Sequence, residues 1–167
     1  MPKIIISTTL GDITVQLEAD KAPVGTENFV HYVMDNWFNG TLFHRVIPNF
    51  MAQGGGMLPG MEEKPSGDAI ENEADNGLKN ERGTLAYART MDPNSATTQF
   101  FINLKDNAFL DHTAKTSQGW GYAVFGKVVD GMDVVDAMAA VETTTRRGHQ
   151  DVPVEDIVIT KTTLIED

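Results

Sequence analysis

Cysteine is absent from all 167 residues, which excludes a disulfide framework and any thiolate nucleophile or thiolate metal ligand. No apolar run approaches the roughly 18 residues that crossing a membrane requires. The opening MPKIIISTTLGDI carries a single lysine, a short apolar run and no small-residue cleavage site, so it does not read as a secretory signal. Cationic residues are scarce too: 13 Lys and Arg against 24 Asp and Glu leave a formal charge of -11. The cations are scattered along the chain, so a nucleic-acid backbone or an anionic lipid surface would be repelled. These absences set the expectation of a cytoplasmic protein that binds neither nucleic acid nor membrane.

Metal ligands form no pattern either. His31, His44, His112 and His149 are too dispersed for a zinc site. The acidic run EEKPSGDAIENEADN, Glu62 to Asn76, does not match a calcium loop, and it reads as a solvated acidic loop. We expect no metal and no cofactor.

What is present is an ordinary globular composition, 41% hydrophobic and 22% charged. With no repeat, low-complexity tract or linker, residues 1–167 read as a single domain. KIIISTTL and ITVQLE are rich in β-branched residues and predict a hairpin turning at Gly11-Asp12. In KAPVGTENFVHYVMDNWF, Phe29, Tyr32, Val33 and Trp37 fall at helical spacing, with Pro23 in a tolerant first turn. The aromatic stripe reads as core packing. Short strand-like runs follow in TLFHRV, NFMAQGG, GTLAYAR, TQFFINL and YAVFGKVV. GMDVVDAMAAV predicts a second helix with Asp130 as its cap and Asp133 in its first turn, and DIVITKTTLI closes the chain as a strand. About eight strands and two helices fit a mainly β fold, a closed antiparallel barrel with helices over its open ends. Three stretches resist assignment, roughly 55–82, 89–97 and 105–121. Loops of that length in a compact domain are usually functional, so the site is expected among them.

Beside these loops stands FHRVIPNFMAQGGG, Phe43 to Gly56, where Arg45 rises from apolar neighbours and three glycines follow. Together with ENEADNGLKNERGTLAYART, SATTQFFINLKDNAFLD and GWGYAVFGKVVDGMDVVD, this string resembles the signature blocks of the cyclophilins, in the same order and covering most of the chain. The segments after Asn94 look most like the small cytoplasmic bacterial branch of peptidyl-prolyl cis-trans isomerases. The resemblance implies a closed eight-stranded antiparallel barrel capped by two helices, and rotamase activity at Xaa-Pro bonds that assists folding. It places the essential arginine at Arg45 and the pocket's polar anchor at Gln53. The floor and walls of a proline pocket fall at Phe50, Met51, Phe101 and Leu110, with a pocket-ordering glutamine at Gln99. Ala88, Arg89 and Thr90 match the segment that holds the substrate backbone. Phe109 stands where many eukaryotic members have the tryptophan that contacts cyclosporin, and Tyr122 where they have a histidine. Cyclosporin binding is therefore expected to be weak. Arg89 replaces a common asparagine, a tolerable change if substrate contacts there are mainly backbone.

Amide rotation breaks no bond, so it needs no nucleophile. It must instead overcome a barrier of about 18–20 kcal/mol set by delocalisation of the nitrogen lone pair. A donor aimed at that nitrogen favours the twisted, pyramidal state over both planar ones, and a guanidinium holds its donors in a fixed fork. Gln53 can orient Arg45 or bond the substrate carbonyl, and Gly54 to Gly56 give room for close approach. His44 beside Arg45 should face the other way along a strand, and it reads as structural. The rival reading is a proline-peptide binding module or folding helper whose turnover is incidental. A hydrolase is a distant third, for no Ser-His-Asp arrangement is visible. With no apolar stripe left over, we expect a monomer whose partners are proline-containing polypeptide segments.

Overall fold

The structure, a computed structural model, describes residues 1–166. Strands β1 (Lys3–Thr8) and β2 (Gly11–Leu17) form the first hairpin, and helix α1 (Pro23–Met34) follows. Then come β3 (Arg45–Ile47), β4 (Met51–Gly54), β5 (Met57–Leu58), β6 (Glu62–Glu63), β7 (Thr84–Tyr87), β8 (Phe100–Asn103) and β9 (Val124–Asp130). Helix α2 (Met132–Ala139) precedes β10 (Thr143–Arg146), β11 (His149–Pro153) and β12 (Ile159–Glu166). Eight of these strands make one antiparallel sheet in the order β12-β1-β2-β9-β7-β8-β4-β3. They are the eight read from the sequence.

The barrel is not closed, which corrects the sequence expectation. The edge strands β12 and β3 do not pair along their lengths. Their approaches are joined by an isolated bridge between Leu42 and Val158 and by backbone bonds from Gly40 to Ile159, from Phe43 to Ile157 and from Ile159 to Thr41. The physical cause is local. Leu42 also bridges to Met57, and β3 is only three residues long, so no continuous ladder can form there. The sheet is a curled, incompletely closed one.

The predicted turn is displaced as well. Thr8 pairs with Gly11, so the turn residues are Thr9 and Leu10 rather than Gly11-Asp12. The Thr8 hydroxyl donates to Gly11 O at 2.7 Å and accepts from the Leu10 amide at 3.1 Å, bracing the turn. Helix α1 stops at Met34, short of Trp37, where Asn36 adopts a left-handed φ of 56°. Its start lacks a side-chain cap from Ala22. The free amides of Val24 and Gly25 donate instead to the Glu73 carboxylate at 3.1 and 2.8 Å, a favourable pairing at a helix N-terminus. One residue of the supposedly solvated acidic loop is thus a helix cap. The N-cap residue of helix α2 is Gly131, with φ 93° and no side-chain cap bond, so Asp130 does not serve as the cap.

The strands near the centre of the sheet are buried on both faces. On one face Ala52, Leu85, Phe100, Ile102 and Phe125 join Phe29, Phe38 and the β1–β2 isoleucines in the main core under the helices. On the other, Met51, Ala86, Phe101 and Val124 form a small second cluster with Leu110. Because side chains alternate along a strand, β4 and β8 feed the core with one residue and this second cluster with the next.

Candidate active site

The second cluster is the floor of a cavity of about 170 Å³ lined by Arg45, Phe50, Met51, Gln53, Ala88, Arg89, Phe101, Leu110 and Tyr122. The strand register explains the grouping: Arg45 lies opposite Gln53 on β3–β4, and Gln53 opposite Phe101 on β4–β8. A second cavity, also about 170 Å³, shares Gln53, Ala88 and Arg89 and adds Thr90, Ser95 and Gln99. All residues singled out from the sequence therefore meet at these two cavities except Phe109. That residue is 73% exposed and stacks on Phe50 at 5.7 Å between ring centroids, making an outer rim.

Arg45, the first residue of β3, is exposed while His44 just before it is 6% exposed, so the two side chains point in opposite senses, as alternation requires. Burial, then the nearby His149 and Arg45 charges, lower the His44 pKa from 6.5 to about 4, and its Nδ1 has no hydrogen-bond partner. His44 is a neutral packing residue. Gln53 is held by its neighbour rather than by Arg45: its Nε2 donates to Gln99 Oε1 at 2.9 Å. The glycines leave room for the protein itself, not for a ligand. A Cβ on Gly54 would meet Leu42 O at 2.7 Å, one on Gly55 would meet the Phe100 ring at 2.8 Å, and one on Gly56 would collide with the Gln99 side chain.

Arg89 turns its side chain into the cavity wall. Its Nε donates to Gly121 O and its Nη1 to Thr90 O, both at 2.9 Å, and its guanidinium lies 4.6 Å from the Tyr122 ring centre. Tyr122 in turn meets Phe101 edge to face at 5.7 Å. In the backbone here, Ala88 N–H donates to Gln99 O and Thr90 N–H to the Ser95 hydroxyl. Ser95, which the sequence does not single out, closes the 89–97 loop through that bond and a second one to the Thr90 hydroxyl. No spacing signal in the sequence points to it. Among the described residues no group of three or more His, Asp or Glu is placed to hold a metal ion, and no helix is long and apolar enough to cross a membrane.

Residues 3–164 match the family model described as Cyclophilin type peptidyl-prolyl cis-trans isomerase/CLD. The chain is 56% identical over 159 residues to peptidyl-prolyl cis-trans isomerase cyp18 of Streptomyces antibioticus, covering 95% of this chain and 96% of that one. It is 53% identical over 163 residues to peptidyl-prolyl cis-trans isomerase B of Escherichia coli K12, covering 98% and 99%. Among solved structures, a cyclophilin type peptidyl-prolyl cis-trans isomerase of Cryptosporidium parvum, crystallised in the presence of the dipeptide Ala-Pro, superposes with a TM-score of 0.84. That comparison is at 25% identity and covers 99% of each chain. The chain belongs to the cyclophilin-type peptidyl-prolyl cis-trans isomerases, and its reaction is rotation about Xaa-Pro peptide bonds.

Proposed function

We propose that Arg45 donates a hydrogen bond to the nitrogen of a twisted Xaa-Pro amide while Phe50, Met51, Phe101 and Leu110 hold the proline ring. The observation that carries this reading is the position of the Arg45 side chain on the exposed face of β3, at the edge of the cavity floored by Met51 and Phe101. In the planar amide the nitrogen lone pair is shared with the carbonyl and accepts poorly. Twisting returns it to the nitrogen, so the Arg45 bond strengthens on the way to the transition state, and only that increment accelerates rotation. The apolar floor excludes water on one side, which increases the effect of a fixed positive charge. No proton needs to move, so the neutral, inward His44 has no part in the reaction.

The substrates are proline-containing segments of unfolded or exposed polypeptide, and the activity serves folding. The Ala-Pro dipeptide used with the Cryptosporidium parvum relative supports a substrate of this chemistry. Ala88, Arg89 and Thr90 flank the extended backbone, and the second cavity beside Gln99 receives a residue preceding the proline. Phe109, presenting a smaller face than tryptophan at the rim, holds cyclosporin weakly. Monomeric action in the cytoplasm completes the reading. Exchange spectroscopy on a short Ala-Pro peptide tests it: Arg45→Ala should stay folded and lose at least about tenfold in catalysed exchange, equivalent to about 1.4 kcal/mol of transition-state stabilisation. Unchanged exchange in the folded variant would refute the role.

A further inference from the structure

Beside the cavity floor three buried asparagines touch end to end. Asn107 Nδ2 donates to Phe50 O at 2.9 Å and to Asn103 Oδ1 at 2.8 Å. Asn103 Nδ2 donates to Asn80 Oδ1 and to the Thr84 hydroxyl, both at 3.0 Å. Asn80 Nδ2 then reaches Leu110 O at 3.3 Å, Tyr122 O at 3.2 Å and Asp111 Oδ1 at 3.1 Å. All three side chains are buried, with Asn103 and Asn107 at 0% exposure and Asn80 at 2%.

The chain has one permitted direction. Asn80 faces only acceptors at its far end, so its amide nitrogen must point there and its oxygen must face Asn103. That choice fixes the orientation of Asn103, and Asn103 fixes Asn107, whose nitrogen is then committed to the Phe50 carbonyl. Flipping Asn80 or Asn103 would set one amide nitrogen against another, and flipping Asn107 would set its oxygen against the Phe50 and Asn103 oxygens. Its two ends hold Phe50 on one side and Leu110 and Tyr122 on the other. These three walls of the cavity come from distant parts of the sequence. Asn103 lies two residues beyond Phe101 on β8, on the same face of the sheet, and pairs with Met51 beside the floor.

We propose that the Asn107–Asn103–Asn80 row is a positioning device for isomerisation, fixing the separation of the Phe50, Leu110 and Tyr122 walls so that a proline ring stops where its nitrogen meets Arg45. The proposal rests on the Arg45 reading above. None of the three side chains contacts the substrate; they act through the backbone of residues that do. Displacements well under an ångström in the walls would weaken the transition-state contact more than they weaken ring burial, so kcat should fall further than KM rises.

The test compares Asn103→Leu, which preserves size and deletes the row's centre, with Tyr87→Phe. The latter removes a buried hydroxyl that donates to Gly25 O at 2.7 Å in the main core, away from the row. Activities are measured on an Ala-Pro peptide and expressed per folded molecule. We expect kcat/KM of Asn103→Leu to fall at least about tenfold, mostly in kcat, with Tyr87→Phe within about twofold of wild type. Retention of kcat/KM within about twofold by folded Asn103→Leu overturns the proposal, and so does an equal loss in both variants. Should Asn103→Leu not fold, Asn107→Ser, which removes the donor to Phe50 O, carries the same expectation and the same refutation. Failure of the Arg45 reading is separately visible, as full activity in Arg45→Ala.

Discussion

The buried His44 makes the stability of this protein depend on pH in a way that can be worked out in advance. Burial, with the His149 and Arg45 charges added to it, lowers its folded-state pKa to about 4 from 6.5 in the unfolded chain. Between those values the unfolded state binds the proton and the native state does not, so acid draws the chain toward unfolding. The stability is fully present above pH 6.5 and is lost as pH falls through 4. Each step of one pH between the two values removes about 1.4 kcal/mol. The loss attributable to His44 is therefore about 2 kcal/mol at pH 5 and about 3 kcal/mol at pH 4, relative to pH 7. Other carboxylates titrate in the same range, so the measurement has to be a difference. Urea unfolding of wild type and of His44→Gln at pH 7, 5 and 4 isolates it, because glutamine has no proton to gain. The gap between the two proteins should narrow or reverse by those amounts on acidification. Parallel stability curves would mean that His44 titrates normally, and a buried, unpartnered Nδ1 would be the wrong description of it.

Two further predictions follow from particular contacts. Gly56→Ala places a methyl group against the Gln99 side chain and should pull Gln99 away from Gln53, lowering kcat/KM roughly fivefold or more while the protein stays folded; steady-state kinetics at wild-type levels would refute the tight approach. Glu73→Ala leaves the Val24 and Gly25 amides without their carboxylate and should cost about 1–2 kcal/mol in urea unfolding with activity retained. No change would mean that water caps α1 equally well.

The eight main strands and both helices can be read from the chain because β-branched alternation and helical spacing are local signals that the tertiary structure does not override. The differences lie where side chains take over from backbone preference. A threonine hydroxyl moves the first turn by two residues, from Gly11-Asp12 to Thr9-Leu10. A glutamate 49 residues away in sequence caps α1. The β10–β11 hairpin is hard to see because TTTR and HQDVP do not alternate, although Arg147 and Gly148, with φ of 48° and 78°, form the two-residue turn that right-handed strands favour. The incomplete closure of the barrel is equally hidden, since three-residue β3 gives no hint of how little of its edge pairs. At the site, Arg45, Phe50, Met51, Gln53 and Phe101 are legible through the ordered strings FHRVIPNFMAQGGG and TQFFINL that carry the family resemblance, and the register of β3, β4 and β8 brings Arg45, Gln53 and Phe101 into line. The sequence points to the backbone of Arg89, yet its guanidinium braces Tyr122. The asparagine row is not legible. Asn80, Asn103 and Asn107 meet only after the loops have folded, and nothing in their spacing distinguishes them from asparagines in solvated turns.

The central claim is that Arg45 acts on the rotating amide and not on substrate binding. The direct measurement is the cis-trans exchange rate of an Ala-Pro peptide within the saturated complex, for wild type and Arg45→Ala, alongside the dissociation constant of each. The exchange rate should fall by at least about tenfold with the dissociation constant changed less than about threefold, the signature of an interaction made only in the transition state. An unchanged rate inside the complex with binding weakened about tenfold would contradict the claim, and would leave Arg45 as a residue that merely holds the peptide.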